Sequence, residues 1–190
     1  MAISELFSPN LLGPVFGLSE FALLLGKRSG SGATSADRGS LRLLWGVIGL
    51  CVVLAILAGN LVPQANSSWL WRLRTAGGVL FLLGLLLRWY AIITLGRFFT
   101  VNVAIAADHR VIDTGPYRLV RHPSYSGSLL QFVGLGITFG NWLSLALLVL
   151  PVLAVYQRRI AIEEQALSQG LGDPYRRYMA QTRRLIPGIY

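Results

Sequence analysis

Long stretches without charge limit the folding of this chain more than any other feature of its sequence. Residues 123–157 contain no Asp, Glu, Lys or Arg, and neither do residues 43–59. Across the chain, 54% of residues are hydrophobic, only 13% are charged, and the mean hydropathy is +0.57. Soluble domains carry roughly 25% charged residues. The sequence therefore predicts a protein whose solvent is largely lipid.

The apolar stretches can be divided into membrane-spanning helices, each of which needs about 20 apolar residues. The stretch 123–157 is too long for one span, and Gly140-Asn141 in its middle is a turn signal that predicts a tight helical hairpin. Pro63 ends an earlier apolar run. We therefore expect an all-α, polytopic membrane protein of about five transmembrane helices, near residues 11–26, 41–62, 75–95, 124–139 and 142–160.

Polar residues fall between these helices and suggest a division of the chain into two regions. Residues 1–95 are expected to form N-terminal transmembrane helices with a flexible polar loop at 29–40. Residues 96–190 are expected to form a catalytic region, made of a loop (96–123), the hairpin (124–160) and a C-terminal tail (161–190). The loop and the tail flank the hairpin, so a site built from both would lie at one membrane surface.

The basic residues indicate how the chain is oriented. The net charge is +9, from 17 basic and 8 acidic residues. Their position between apolar runs fits anionic lipid headgroups better than nucleic acid, so we expect no nucleic-acid partner. If the N-terminus lies outside, Arg72 and Arg74 are the only basic residues in outer loops, which places the dense basic segments and the site on the cytoplasmic face. The single cysteine, Cys51, offers no partner for a metal, and no metal site is expected.

The loop ends in the motif GPYRLVRHPSYSG, residues 115–127. Pro116 and Pro123 restrict the backbone, and Pro123 can open a helix. The motif thereby places Tyr117, His122 and Tyr125 at the mouth of a membrane helix. A histidine can donate or accept a proton near neutral pH, and tyrosine faces can pack against a planar or cationic group. The alternative is an interfacial cap of aromatic and basic anchors without chemistry.

A second polar motif, YQRRIAIEEQAL, follows the last apolar run at residues 156–167. Arg159 and Glu163 are four residues apart and therefore share a helix face. Arg159 could hold an anionic group, and Glu163 could bind an amine or a hydroxyl. The alternative is a solvated helix end, and we expect Glu164 to be such a surface residue.

Taken together, the two motifs and the later GDPYRRYMAQTRRLIP resemble the isoprenylcysteine carboxyl methyltransferase family over about residues 95–187. The family is related to phospholipid N-methyltransferases. The resemblance implies a helical membrane core whose C-terminal half encloses S-adenosyl-L-methionine, and a lipophilic or prenylated acceptor drawn from the membrane. No oligomeric state is implied. Neither Arg183 nor Arg184 receives a role from it.

The resemblance also implies which residues form the site. Arg159 is the expected catalytic residue, because it matches the position that holds the acceptor carboxylate. Asn102 is matched with less certain spacing, and Tyr125 is expected to shape the pocket. The implied cofactor-binding residues are Asn102, His109, Arg110, Val111, Ile112, Tyr117, His122, Tyr125 and Glu163.

Arg88 lies inside a predicted span, where charge is costly and commonly functional. It is either a structural residue or a substrate contact.

The leading functional hypothesis is carboxyl O-methylation of an isoprenylcysteine-like substrate. Phospholipid N-methylation or thiol S-methylation is the alternative within the fold. A sterol-type reductase would need a longer chain, and an inactive scaffold is disfavoured by the intact set of Tyr117, His122, Arg159 and Glu163.

Overall fold

Eight helices form the fold in the computed structural model, which describes residues 3–26, 34–35, 38–100, 104–105 and 108–190. The helices are α1 (Ile3–Leu6), α2 (Pro9–Gly26), α3 (Arg38–Leu61), α4 (Ser68–Arg72), α5 (Arg74–Leu95), α6 (Pro123–Thr138), α7 (Trp142–Leu171) and α8 (Asp173–Gln181). Short 3₁₀ turns cover Pro63–Ala65, Gly96–Phe98 and Gly115–Arg118. Strands β1 (Thr34–Ser35) and β2 (Ala104–Ile105) pair antiparallel. Apart from that short pairing, the all-α prediction is confirmed.

Within the part of the chain that the structure describes, three segments are long and apolar enough to cross a membrane by length and composition, namely Gly39–Leu61, Arg74–Phe98 and Trp142–Leu171. The shorter apolar segment Pro9–Leu25 and the 16-residue α6 pack among them. The predicted number of about five spans therefore stays a prediction.

The predicted hairpin between α6 and α7 is confirmed. Pro123 is the first residue of α6, where its missing N–H costs nothing. Gly140 ends the turn with φ +66°, a conformation that suits glycine. Asn141 then caps α7, because its side-chain oxygen accepts a hydrogen bond from the Ser144 backbone N–H at 3.0 Å. Its side-chain amide also donates to the Asn66 oxygen at 2.9 Å, which ties the hairpin to the turn after α3.

Two of the predicted boundaries are wrong. Helix α7 continues to Leu171, about eleven residues past the expected end at 160, because a helix that leaves the membrane keeps one face buried against the loop and tail. Helix α3 begins at Arg38, so residues 38–40 of the expected flexible loop are helical. Most of the rest of that loop lies outside the described residues. Division of the chain at residue 95 stays a prediction, since α2 and α3 contribute residues to the site described below.

Helices α5 and α6 approach more closely than side chains would allow. A Cβ atom on Gly84 would lie 2.5 Å from the Gly127 carbonyl oxygen, and one on Gly134 would lie 2.5 Å from the Gly77 carbonyl oxygen. Small residues at facing positions allow such contact between membrane helices. Phe81 and Phe132 fill the core beside this seam. The seam fixes the position of the start of α6 relative to Arg88 on α5.

Candidate functional site

The loop before α6 is held by the C-terminal segment. The Arg121 backbone N–H donates to the Arg183 carbonyl at 2.7 Å, and that of His122 donates to the Arg184 carbonyl at 3.0 Å. The Ser126 hydroxyl donates to the Leu185 carbonyl at 2.7 Å. The segment after α8 therefore pairs with the RHPSYS motif along its length.

A buried stripe on α7 continues into its polar end. Leu148, Val152, Tyr156 and Ile160 are buried at intervals of four residues, and Glu164 is the next member, 4% exposed. The expectation that Glu164 is a surface residue is therefore wrong. The physical reason is that the loop and tail cover this face of the helix and supply cations to the carboxylate.

Glu164 is the centre of a cluster of charged groups. Its Oε1 accepts from Arg121 Nε at 2.8 Å and lies 3.3 Å from His122 Nε2. Its Oε2 accepts from Arg184 Nη2 at 2.8 Å and from Arg184 Nε at 3.0 Å. These bonds raise the pKa of Arg184 above its usual value. One carboxylate thus joins the RHPSYS motif, α7 and the C-terminal segment, and Arg184, for which the sequence offered no role, is part of the site.

The predicted pair Arg159 and Glu163 is brought together through a tyrosine. Arg159 Nε donates to the Tyr125 hydroxyl at 2.8 Å, and that hydroxyl donates to Glu163 Oε2 at 3.0 Å. Arg159 Nη1 also donates to the Ser40 hydroxyl of α3 at 3.0 Å. The side chain of Arg159 is therefore buried and aimed by contacts from two other helices.

Arg88 forms an ion pair with a residue of α2. Its Nη2 donates to Glu20 Oε2 at 2.7 Å, and its Nη1 donates to the Ser124 carbonyl at 3.3 Å. Both charged side chains are buried. Arg88 thus has the structural role that the sequence left open, while the predicted contact with a substrate stays a prediction.

A cavity lies between the helices, and we call it the helix cavity. Most of its wall is apolar, from Leu23, Leu44 and Ile48. Its polar wall includes the ion pair of Glu20 and Arg88, together with His122, Tyr125 and Arg159. A cavity with a long apolar wall and a few converging polar groups suits a lipophilic ligand with one polar end.

A second pocket, the loop cleft, lies between the loop, α7 and α8. It is lined by the predicted run His109, Arg110, Val111 and Ile112, and by Tyr117, Tyr175 and Tyr178. Burial raises the pKa of these three phenols, so they remain neutral. Burial also lowers the pKa of His109, although the Asp108 and Glu163 carboxylates oppose this shift.

The two cavities share the residues Tyr117 and Arg121. Five predicted cofactor residues line the loop cleft, whereas His122 and Tyr125 line only the helix cavity. Glu163 contacts Tyr125 and lines neither. Asn102 lies outside the described residues. The predicted set is thus divided between two neighbouring cavities that share two lining residues. Within the described residues, no cluster of three or more His, Cys, Asp or Glu side chains is placed to hold a metal.

Sequence reasoning missed Arg121, Glu164 and the two tyrosines of α8. For Glu164 a signal existed, because the interval of four from Val152 through Ile160 continues to it. For the tyrosines the GDPY–RY pattern was visible, but only the structure places the Tyr178 hydroxyl on the Tyr117 carbonyl, at 2.7 Å.

Residues 77–169 match the model of the isoprenylcysteine carboxyl methyltransferase (ICMT) family. The chain is 34% identical over 131 residues to a probable protein-S-isoprenylcysteine O-methyltransferase of Oryza sativa subsp. indica, covering 68% of each chain. It is 35% identical over 121 residues to protein-S-isoprenylcysteine O-methyltransferase B of Arabidopsis thaliana, covering 63% of this chain and 61% of the relative.

A solved structure of a eukaryotic intramembrane Ras methyltransferase, isoprenylcysteine carboxyl methyltransferase, has a similar fold. The TM-score is 0.63 at 28% identity, and the match covers 80% of this chain. It spans 54% of that chain, about half of its length. With its apolar helices, this chain is an integral membrane protein, and it belongs to the isoprenylcysteine carboxyl methyltransferase family.

Proposed function

We propose that this protein transfers a methyl group from S-adenosyl-L-methionine to the carboxylate of an isoprenylcysteine-like acceptor. The observation that carries the proposal is the meeting of two chemically different cavities at Tyr117 and Arg121. A mainly apolar cavity between helices suits a prenyl chain, and an aromatic, basic cleft suits a polar cofactor. A transfer between two such ligands requires this kind of junction.

The residues of the loop cleft fit the proposed cofactor. Tyr117, Tyr175 and Tyr178 offer neutral aromatic faces for an adenine ring or a sulfonium. Arg110 and Arg121 provide cations for its carboxylate, and among the described residues no Asp or Glu lines the cleft. The low pKa of His109 keeps its imidazole uncharged near the cationic sulfonium.

Arg159 is the proposed catalytic residue at the acceptor end. Its guanidinium lies against the helix cavity, where it would bind and aim the acceptor carboxylate. Tyr125, which accepts a hydrogen bond from Arg159 and donates one to Glu163, fixes the orientation of that guanidinium. Arg159 itself is only 4% exposed, which limits the access of water that would otherwise solvate the carboxylate.

When bound, the cofactor would supply an electrophilic methyl group on a positively charged sulfur, and its transfer to the acceptor would form an O–CH₃ bond as the S–CH₃ bond breaks. An ionised carboxylate needs no general base for this step, and the charges of acceptor and sulfonium cancel. The residues here therefore act through orientation and dehydration, which can contribute up to about 7–11 kcal/mol in favourable cases. An amine or thiol acceptor would need a group that removes a proton.

We further propose that the N-terminus lies outside and the loop cleft faces the cytoplasm, as the basic residues predict.

The proposal is tested by calorimetry of S-adenosylhomocysteine with the detergent-purified full chain. Saturable binding is expected, and a folded protein that binds none would refute the proposal. A methylation assay with N-acetyl-S-farnesylcysteine then tests the acceptor.

Variants separate the two ends of the proposed reaction. Arg159→Ala should lower acceptor turnover at least tenfold and leave the affinity for S-adenosylhomocysteine within about twofold, because a lost charged hydrogen bond has roughly this effect. The neighbouring exposed residue provides the matched control, since Arg158→Ala should change neither quantity. Equal loss of both quantities in Arg159→Ala would show that the assignment of Arg159 to the acceptor is wrong.

A further inference from the structure

We propose that Arg121 binds a ligand carboxylate at the junction of the two cavities, through its terminal nitrogen Nη2. This inference rests on the proposed function, since it assigns a contact at the same site. Arg121 lines both the helix cavity and the loop cleft, and its side chain is only 9% exposed. A group in that position can contact a ligand in either cavity.

The hydrogen bonds of Arg121 account for part of its guanidinium. Arginine has five N–H donors, one on Nε and two on each terminal nitrogen. Nε donates to Glu164, while Nη1 donates to the Met179 carbonyl at 2.9 Å and to the Thr182 carbonyl. Three N–H groups are thus used, and within the described residues the two on Nη2 have no protein acceptor. The guanidinium is held on one edge and leaves the other edge for a ligand.

The charges around Arg121 favour an anion there. Arg121 and Arg184 are both permanent cations, and both pair with the same carboxylate, Glu164. The next acid along α7, Glu163, is bonded to Tyr125, whose hydroxyl also accepts from the cation Arg159, so that Arg159 offsets the charge of Glu163. His122 also contacts Glu164 and adds no negative charge. The cluster therefore carries an excess of positive charge, which a ligand carboxylate would neutralise.

Two ligands of the proposed reaction carry a carboxylate, namely the acceptor and the amino-acid portion of the cofactor. Both would reach the junction, the acceptor from the helix cavity and the cofactor from the loop cleft. The shared chemistry is a carboxylate oxygen accepting from Nη2, and the experiment distinguishes the two sources.

The test uses Arg121→Lys in the full chain. A lysine ammonium has three donors, the number that the protein itself uses at this position, and it keeps the charge. The substitution therefore removes the ligand-facing N–H groups while leaving enough donors for Glu164 and the two carbonyls. Arg121→Gln is the second variant, and Arg118→Lys, at an exposed arginine three residues away, is the matched control.

Three measurements are made on each variant: the affinities for S-adenosylhomocysteine and for 5′-methylthioadenosine, which lacks the amino-acid portion, and the KM for N-acetyl-S-farnesylcysteine. If Nη2 binds the cofactor carboxylate, Arg121→Lys weakens S-adenosylhomocysteine at least tenfold and leaves 5′-methylthioadenosine within twofold. If it binds the acceptor, the acceptor KM rises at least tenfold and both nucleoside affinities are kept.

Either selective loss supports the inference. Unchanged values, or an equal loss of both nucleosides, would overturn it and make Arg121 a purely structural residue. Failure of the proposed function has a different signature, because in that case the wild-type chain itself does not bind S-adenosylhomocysteine.

Discussion

Two buried carboxylates, Glu20 and Glu164, each pair with arginine, but they are satisfied to different degrees. Glu164 accepts hydrogen bonds on both oxygens, from the RHPSYS motif and from the C-terminal segment. Glu20 pairs with Arg88 through one oxygen, and within the described residues its Oε1 and Arg88 Nε have no hydrogen-bond partner. The first cluster lies where loop and tail meet, and the second lies between membrane helices.

The difference shows how each part of the site is held together. The loop cleft consists largely of irregular backbone, so its position depends on polar contacts that converge on Glu164. The helix cavity is formed by helices whose backbone groups are already satisfied, so packing can hold it with one incomplete ion pair. Loss of a polar group should therefore affect the loop cleft more than the helix cavity.

Glu164→Ala should have the largest effect. It leaves Arg121, buried at the junction, without its carboxylate, and removal of one partner from a buried ion pair costs about 3–5 kcal/mol. Arg184 adds less, because its side chain is 36% exposed. Thermal unfolding in detergent and calorimetry with S-adenosylhomocysteine should both show the loss.

Asp173→Ala is the control for this prediction. Its pair with Arg176 is exposed and is worth about 0–1 kcal/mol. If Glu164→Ala and Asp173→Ala proved equally stable, the charged groups around Glu164 would not be what stabilises the loop cleft.

Glu20→Leu tests the helix cavity. The single substitution leaves Arg88 charged between the helices without its carboxylate partner. It should destabilise the protein by about 3 kcal/mol or somewhat more. Replacing both charges, in Glu20→Leu with Arg88→Leu, should recover most of that loss, since apolar residues often substitute well for a buried ion pair.

The double variant should also still bind S-adenosylhomocysteine, because neither residue lines the loop cleft. Loss of that binding in a folded double variant would show that the two cavities are less independent than the comparison implies.

Gly84→Ala should have a smaller effect, about 1–3 kcal/mol of destabilisation, because the added Cβ would overpack the seam against Gly127. Gly46→Ala in α3 is the matched control, since a Cβ there meets nothing within 4 Å. It should be neutral or stabilising by roughly 0.5–1 kcal/mol. Unfolding temperatures of the two variants measured side by side check the prediction, and equal values would mean that the seam is not closely packed.

Much of the fold could be predicted because lipid imposes simple requirements on sequence. Apolar length indicated the helices, and Gly140-Asn141 indicated the hairpin. Boundaries outside the apolar runs were less accurate: α7 was expected to end at 160, since hydropathy does not reveal that a polar segment is covered by loop and tail.

For the site, the motifs around Tyr117, His122, Arg159 and Glu163 were informative because they combine restricted backbone with reactive side chains. Glu164 was misjudged because an acid next to the end of a membrane helix is usually solvated. Its burial depends on Arg184, twenty residues later, and no local pattern contains that information.

Local composition and spacing were enough to predict a lipid environment, the helical class and the residue types available for chemistry. Tertiary structure decided which of those residues meet. It paired Arg88 with Glu20 and not with a neighbour in sequence, joined Arg159 to Glu163 through Tyr125, and placed Arg121 between two cavities. The physical reason is that each buried charge must find a partner, and that partner can come from any helix, loop or tail which packing brings within reach.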